Sequence, residues 1–308
     1  MAEGERIVNF SQPLVSLITI NYNQAETTRQ FLDSSRSLLY TNYEIIVVDN
    51  DSTVRLDTQI DQSEYPKAQF VRSDNNLGFT GGNNLGMQKA RGDYFFIVNN
   101  DTELTPTLLD ELLRPFAENP QIGVVCPKIK YFDHPTLVQY AGYNPMNMLT
   151  GTAHIIGFDQ LDKGQFDIPG PTHFAHGCAM MVSRRVVEQV GRFAERFFLY
   201  YEELDWSQRI KDAHFQIYYQ PSAMILHKES VSVGRQSTLK TYYMTRNRIL
   251  YMRRHCTPIQ RLFFYGYFVG AVLPKHLFSY LVKGQLAHAK AFALGILWNL
   301  KSTSTSPI

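Results

Sequence analysis

From residue 14 the chain alternates short apolar runs with stretches of helical character. "LVSLITIN" (14–21), "EIIVVDN" (44–50), "AQFVRS" (68–73) and "YFFIVNND" (94–101) are apolar runs closed by polar residues, the pattern of buried strands. Between them lie a helix-like stretch from about Gln24 to Leu39, a Gly/Asn-rich turn, and "NNLGMQKA" (83–90). "TPTLLDELLRPF" (105–116) has leucines at helical spacing, with Thr105 as N-cap and Pro106 at the first helical position. This alternation predicts an α/β fold, a parallel sheet with helices on both faces. Ligands on such sheets sit at the carboxyl ends of strands, which is where Asn21, Asp49 and Asp101 fall.

The pattern changes after residue 120. "IGVVCPKIKYF" and "THFAHGCAMMV" are strand-like but interrupted by Gly, Pro and Asp. "SRRVVEQVG" (183–191) and "YYEELDWSQRIKDA" (200–213) read as helices, and "QIYYQPSAMILH" (216–227) returns to strand character. Residues 238–300 are aromatic, basic and helical in pattern. Their longest uncharged run, "LFFYGYFVGAVLP" (262–274), is too short for a confident membrane span.

Charge sharpens that division. The net charge of the 308 residues is +2, yet residues 230–308 hold eleven Lys/Arg and no Asp or Glu, leaving a net of −9 in residues 1–229. A basic tail rich in aromatic and aliphatic residues fits helices lying in an anionic membrane interface; a helical cap packed on the domain is the alternative. The aromatic content suits lipid better than nucleic acid. Three scattered cysteines (Cys126, Cys178, Cys256) outline neither a disulfide framework nor a zinc ladder, and "MAEGERIVNFSQP" lacks a signal peptide's apolar core. The expected setting is a reducing cytoplasm, at the inner face of the membrane.

Several chemistries are excluded. "GFTGGNNLG" matches neither G-x-G-x-x-G nor a phosphate-binding P-loop, and G-x-S-x-G is absent. His173, His176 and Cys178 alone supply too few ligands for structural zinc. What remains is a set of acidic residues: Asp49 and Asp101 at strand ends, Glu202, Glu203 and Asp205 opening a helix, with His227 ending a late strand. One Asp, one His and two phosphate oxygens suit Mg²⁺ or Mn²⁺ on a nucleoside diphosphate. Asp205 also has a structural role available, an i,i+4 pair with Arg209, and Trp206 reads as core or as a sugar platform.

The runs "VSLITINYNQ", "YEIIVVDNDS", "NNLGFTGGNNLGMQKARGDYFFIVNNDTEL", "HGCAMMVSRRVVEQVGRF", "FFLYYEELDWSQRI" and "YYMTRNRILYMRRH" resemble family 2 glycosyltransferases, within them the rhamnosyltransferase-like group, over roughly residues 13–255. The resemblance implies a GT-A-type, Rossmann-like mixed sheet flanked by helices: a catalytic domain over 1–237 and a basic, amphipathic, membrane-associating helical region over 238–308. It implies that Asp101 of Asn99-Asn100-Asp101 and His227 hold the metal, with Asn99 acting through water or the ribose. Asp49 would accept a hydrogen bond from the donor's pyrimidine. Thr19, Asn21, Tyr22, Asn76, Gly78, Gly82, Asn83, Asn99 and Asn100 would line the nucleotide pocket. Gly81-Gly82 reads equally as a helix-entry turn. Glu203 would be the catalytic base, with Glu202 its rival because Glu stands where the family usually has Asp. Residues 176–178 would lie near a sugar, unless His176 is a structural hydrogen-bonder. The implied reaction is inverting transfer from a nucleotide-sugar donor, dTDP-L-rhamnose first, with UDP-galactofuranose or another UDP-sugar as alternatives. The acceptor would be a saccharide or lipid-linked saccharide in bacterial surface polysaccharide (O-antigen-type) synthesis. A non-catalytic carbohydrate- or membrane-binding module is the rival of another class, and homo-oligomer formation stays open.

Overall fold

The computed structural model describes residues 12–228 and 237–302; the N-terminal stretch and the tail from residue 303 lie outside the described residues. β1 (Val15–Asn21), α1 (Ala25–Ser35), β2 (Tyr43–Asn50), β3 (Ala68–Ser73), α2 (Gly78–Lys89) and β4 (Tyr94–Val98) form the first half. β5 (Thr102–Leu104), α3 (Leu108–Glu118), β6 (Ile122–Tyr131), β7 (Leu137–Tyr140), β8 (Gln160–Leu161), β9 (Gly170–Pro171), β10 (Ala179–Ser183), α4 (Arg184–Val190), α5 (Glu202–Asp212) and β11 (Gln216–His227) follow. The C-terminal helices are α6 (Thr238–His255), α7 (Pro258–Tyr267), α8 (Leu273–Val282) and α9 (Leu286–Lys301), with a π-helical turn at Phe268–Val272 joining α7 to α8.

The main sheet has the order β3-β2-β1-β4-β10-β6-β11-β5. β1 to β4 are parallel, as the sequence predicts, but β10 runs antiparallel to both β4 and β6, so the sheet is mixed. β4 sits between β1 and β10, and its Phe95, Phe96, Ile97 and Val98 are all buried. A strand covered on both faces needs apolar residues at successive positions rather than alternate ones.

Two sequence expectations need correction. The Gly-rich segment is not a turn before a helix at 83; α2 begins at Gly78. Glycines cost a helix about 1 kcal/mol each against alanine, and packing offsets this: a Cβ on Gly82 would meet Ile20 at 2.7 Å, and one on Gly86 would meet Ile18 at 2.4 Å. The missing side chains let α2 lie directly on β1. Nor does Thr105 cap α3. The helix starts at Leu108, and the Thr105 hydroxyl instead donates to the Met224 carbonyl on β11.

Candidate active site

Sheet register alone brings two of the expected residues together. β5 pairs antiparallel with the end of β11, placing His227 opposite Thr102, and Lys228 N–H donates to the Asp101 carbonyl at 2.8 Å. Asp101 Oδ1 and His227 Nε2 therefore approach to 3.1 Å, both side chains under 10% exposed. Neither atom has a well-aligned hydrogen-bond partner among the described residues. The other ring nitrogen, Nδ1, contacts Gln139 Oε1 at 2.7 Å, so Nδ1 carries the proton and Nε2 is turned toward the carboxylate. Burial opposes charge on this ring, yet Cys178 and Asp101 outweigh it and raise its pKa well above the usual value. The surroundings of the ring thus favour a positive charge at this point, supplied by a proton on Nε2 when no cation is bound. A carboxylate oxygen and an oriented imidazole nitrogen aimed at one point suit a divalent cation. No cluster of three or more ligating side chains occurs among the described residues, so the other coordination positions would fall to phosphate oxygens and water.

Asp101 and His227 open onto a cleft of about 320 Å³. Of the expected donor-site residues, Tyr22, Asn76, Gly78, Asn99 and Asn100 line it, and sequence reasoning missed Asn50, Phe79 and the 198–200 segment. Asn50 organises the rim. Its Oδ1 accepts from Leu77 N–H at 2.9 Å, and its Nδ2 donates to Asn76 Oδ1 and the Gly78 carbonyl. Gly78 has φ +67°, and a Cβ there would strike the Phe198 carbonyl oxygen at 2.5 Å, so only glycine fits. Asn100 reaches the Thr28 hydroxyl at 2.9 Å and ties the site to α1.

Thr19, Asn21, Asp49, Gly82 and Asn83 do not line this cleft. Thr19 is fully buried. Asn21 is spent on Asp49, Ser52 and Thr28. Asn83 donates to the Phe79 carbonyl one turn back, and Gly82 is a packing contact with Ile20. Asp49 is 3% exposed and accepts from Arg72, Leu56 N–H and Asn21. Burial raises its pKa, but these hydrogen bonds outweigh that and hold it below the usual range.

Glu202 and Glu203 open α5 directly after the segment that lines the cleft, without lining it themselves. Each has a buried Oε2 with no hydrogen-bond partner among the described residues. Burial and the Glu203 charge drive the Glu202 pKa well above normal; burial pushes Glu203 up to about 7. Two carboxyls so close cannot both ionise freely, so the pair titrates above the ordinary carboxylate range.

The backbone before them is held in an unusual shape. Phe198, Tyr200 and Tyr201 have φ of 61°, 69° and 70°, a region costly for side-chain-bearing residues. Asn247 on α6 maintains it: its Nδ2 donates to the carbonyls of Phe197, Leu199 and Tyr200 at 2.7–2.8 Å. Arg246 donates to the carbonyls of Arg196 and Phe197. The signal for this pair was the "TRNRI" within the "YYMTRNRILYMRRH" run; those five residues include no acidic or metal-ligating type to single them out.

The remaining expectations resolve structurally. Asp205 pairs with Arg209 at 3.0 Å, as anticipated, and also with Arg254 and His255 from α6. Trp206 is core. His176 accepts from Cys178 N–H through Nδ1 and packs between Tyr140 and Tyr143. Burial, with His227 nearby, pushes its pKa down to about 3, so it is a neutral structural hydrogen-bonder.

The mixed sheet flanked by helices is of the GT-A type. A mannosyltransferase from Pyrobaculum calidifontis, solved with GDP-Man and Mn²⁺, superimposes with a TM-score of 0.59 at 13% identity, covering 94% of this chain and 88% of that one. Residues 16–191, more than half of the chain, match the family model for glycosyl transferase family 2. The chain belongs to that family. It is 25% identical over 77% of its length to the low-salt glycan biosynthesis hexosyltransferase Agl10 of Haloferax volcanii, spanning 74% of that protein. It is 24% identical over 72% of its length to the N-acetylglucosaminyl-diphospho-decaprenol L-rhamnosyltransferase of Mycobacterium tuberculosis, spanning 78% of it.

Proposed function

We propose that this glycosyltransferase moves L-rhamnose from dTDP-L-rhamnose, with inversion, to a saccharide on a lipid-linked carrier in surface-polysaccharide synthesis. The observation that carries the reaction type is the pair of buried, mutually facing atoms Asp101 Oδ1 and His227 Nε2 beside a cleft of asparagines, glycine and aromatic rings. The rhamnosyl donor and lipid-linked acceptor are favoured by the similarity to the mycobacterial enzyme, whose name states that chemistry.

In this reading Tyr22, Asn76, Gly78, Asn99 and Asn100 bind the donor nucleotide, and Asp49 orders the strand ends beneath it. Asp101 and His227 hold Mg²⁺ or Mn²⁺, which when bound supplies Lewis-acid stabilisation of the negative charge on the departing diphosphate. Glu203 takes the proton from an acceptor hydroxyl. The hydroxyl oxygen bonds to the anomeric carbon as the bond to the nucleoside diphosphate breaks, so the centre inverts in one displacement. A carboxylate with a pKa near 7 is well matched to this role at neutral pH.

Membrane association is part of the proposal. No helix among the described residues is long and apolar enough to cross a membrane. Yet Ile259, Leu262, Phe263, Val269, Phe278, Leu281, Val282, Leu286 and Leu300 are all over 60% exposed on the helices from α7 to α9. Such an apolar surface, set among lysines and arginines with no acidic residue, suits the cytoplasmic leaflet of a membrane.

The test is nucleoside diphosphate release from a panel of donors with Mn²⁺, Mg²⁺ or chelator. Metal-dependent release of dTDP from dTDP-rhamnose is expected. Preference for UDP-galactofuranose or a UDP-hexose would replace the donor assignment, and full activity in chelator would overturn the metal assignment.

A further inference from the structure

A second cavity, of about 460 Å³, lies between α6, α8 and α9. Lys240 and Arg248 from α6, His276 and Tyr280 from α8, Lys283, and His288 from α9 line it. No Asp or Glu is among the lining residues, and the sequence has none anywhere from 230 onward. Among the described residues no carboxylate lines the cavity beside the cationic groups. His276 registers this: burial first, and then Lys275 and Arg248, depress its pKa.

The walls are fixed in place. Arg248 spends Nε and Nη2 on the Thr150 carbonyl, which sets its guanidinium plane. His288 Nδ1 is 2.9 Å from the Thr241 hydroxyl, and its ring stacks on Tyr280. His276 stacks on Phe292. An ordered, concave, acid-free cluster of Lys, Arg and His matches an anion carrying several acceptor oxygens.

Position identifies the anion's owner. Tyr201, the residue before Glu202-Glu203, lines this cavity, whereas Tyr200 lines the donor cleft. On α6, Leu239 faces the donor cleft and Lys240 the cavity. The two spaces thus flank the segment that leads into the proposed base. Around Lys283, Phe278, Leu281, Val282 and Leu286 are exposed, giving an apolar track next to the cationic one. We infer that this cavity binds the diphosphate of a prenyl-diphosphate-linked acceptor, with the prenyl chain leaving along α8 and the saccharide directed to Glu203. This rests on the lipid-linked acceptor proposed above.

The full chain would be titrated calorimetrically with farnesyl diphosphate and, separately, with inorganic pyrophosphate. Both titrations are run in chelator, so that no metal recruits diphosphate to Asp101. dTDP with Mn²⁺ is titrated in parallel. Farnesyl diphosphate is expected to bind more tightly than pyrophosphate. Lys283→Glu, and more mildly Lys283→Gln, should weaken it, the reversal by about tenfold or more, as for loss of a charge-assisted hydrogen bond. Lys283 is exposed just past the end of α8, so both variants should fold. Unchanged farnesyl diphosphate affinity in Lys283→Glu, or no binding to the wild type, would overturn the site. Equal affinity for pyrophosphate would overturn the lipid assignment and leave a free-anion site. Failure of dTDP with Mn²⁺ to bind would instead count against the transferase reading, whatever farnesyl diphosphate does.

Discussion

At the residue scale the chemistry rests on buried oxygens and a nitrogen whose protein partners are incomplete. Asp101, His227, Glu202 and Glu203 each have such an atom, whereas Asp49 and Asp205 are fully engaged. On the proposed roles, that contrast sets the reactive acids apart from the structural ones, which sequence position does not. Strand-end placement made Asp49, Asp101 and His227 visible in the sequence, but it could not show that Arg72 and Leu56 N–H already occupy Asp49. Gln139, which orients His227, was illegible because it lies 88 residues away in the chain and carries no charge. Glu203 must be ionised to act as base, and its pKa is raised to about 7. Hence kcat/KM should fall as pH drops below about 7, rather than below the ordinary carboxylate range near 4. Glu203→Gln should lose roughly 10²–10⁴ in kcat and abolish this limb while dTDP still binds. If the limb persists in Glu203→Gln, the titrating base is another group, Glu202 first.

At the element scale, the parallel strands were legible because they are apolar at successive positions, and β3 and β11 match their sequence bounds to the residue. The start of α2 was hidden because its glycines argue locally for a turn; only contact with Ile18 and Ile20 makes them helical. The reversed direction of β10 was equally hidden, since strand polarity leaves no mark on hydropathy. The 198–201 segment depends on α6, so a helix in the C-terminal third shapes the approach to the base. Asn247→Ala would remove the side-chain donor to the Leu199 and Tyr200 carbonyls and one of those to Phe197, which keeps Arg246. The expected cost is about 1–3 kcal/mol of stability, read from the denaturation midpoint. kcat should fall more than dTDP affinity. Unchanged kcat would show that the positive-φ backbone at Phe198, Tyr200 and Tyr201 is not needed for turnover.

At the scale of the whole molecule, the charge asymmetry seen in the sequence becomes spatial. Asp205, from the acidic half, is fully buried among Arg209, Arg254 and His255, knitting α5 to α6. Burial disfavours its charge, but these partners outweigh that and keep its pKa below normal. The outer faces of α7 to α9 do the opposite and leave apolar side chains uncovered. Both α6 and the inner face of α9 are packed, α9 lying on α6 through Gly295 and Asn299. The exposed outer surface is the one proposed to meet the membrane. The full chain should float with vesicles of phosphatidylglycerol and phosphatidylethanolamine. Phe263→Ser with Phe278→Ser should reduce the bound fraction several-fold, since each buried apolar side chain is worth about 1.5–3 kcal/mol. Flotation unaffected by both changes would place the contact elsewhere.

In the proposed mechanism Asp101 and His227 hold a cation at the donor cleft, and Glu203, just beyond the 198–200 segment that lines it, is the base. The most direct test compares dTDP release from dTDP-rhamnose by the wild type, Asp101→Ala and Glu203→Gln, across a Mn²⁺ titration, with dTDP binding followed in the same samples. Asp101→Ala should lose Mn²⁺-dependent turnover, and Glu203→Gln should bind dTDP with Mn²⁺ normally yet turn over at a small fraction of the wild-type rate. Wild-type turnover by either variant would contradict the account.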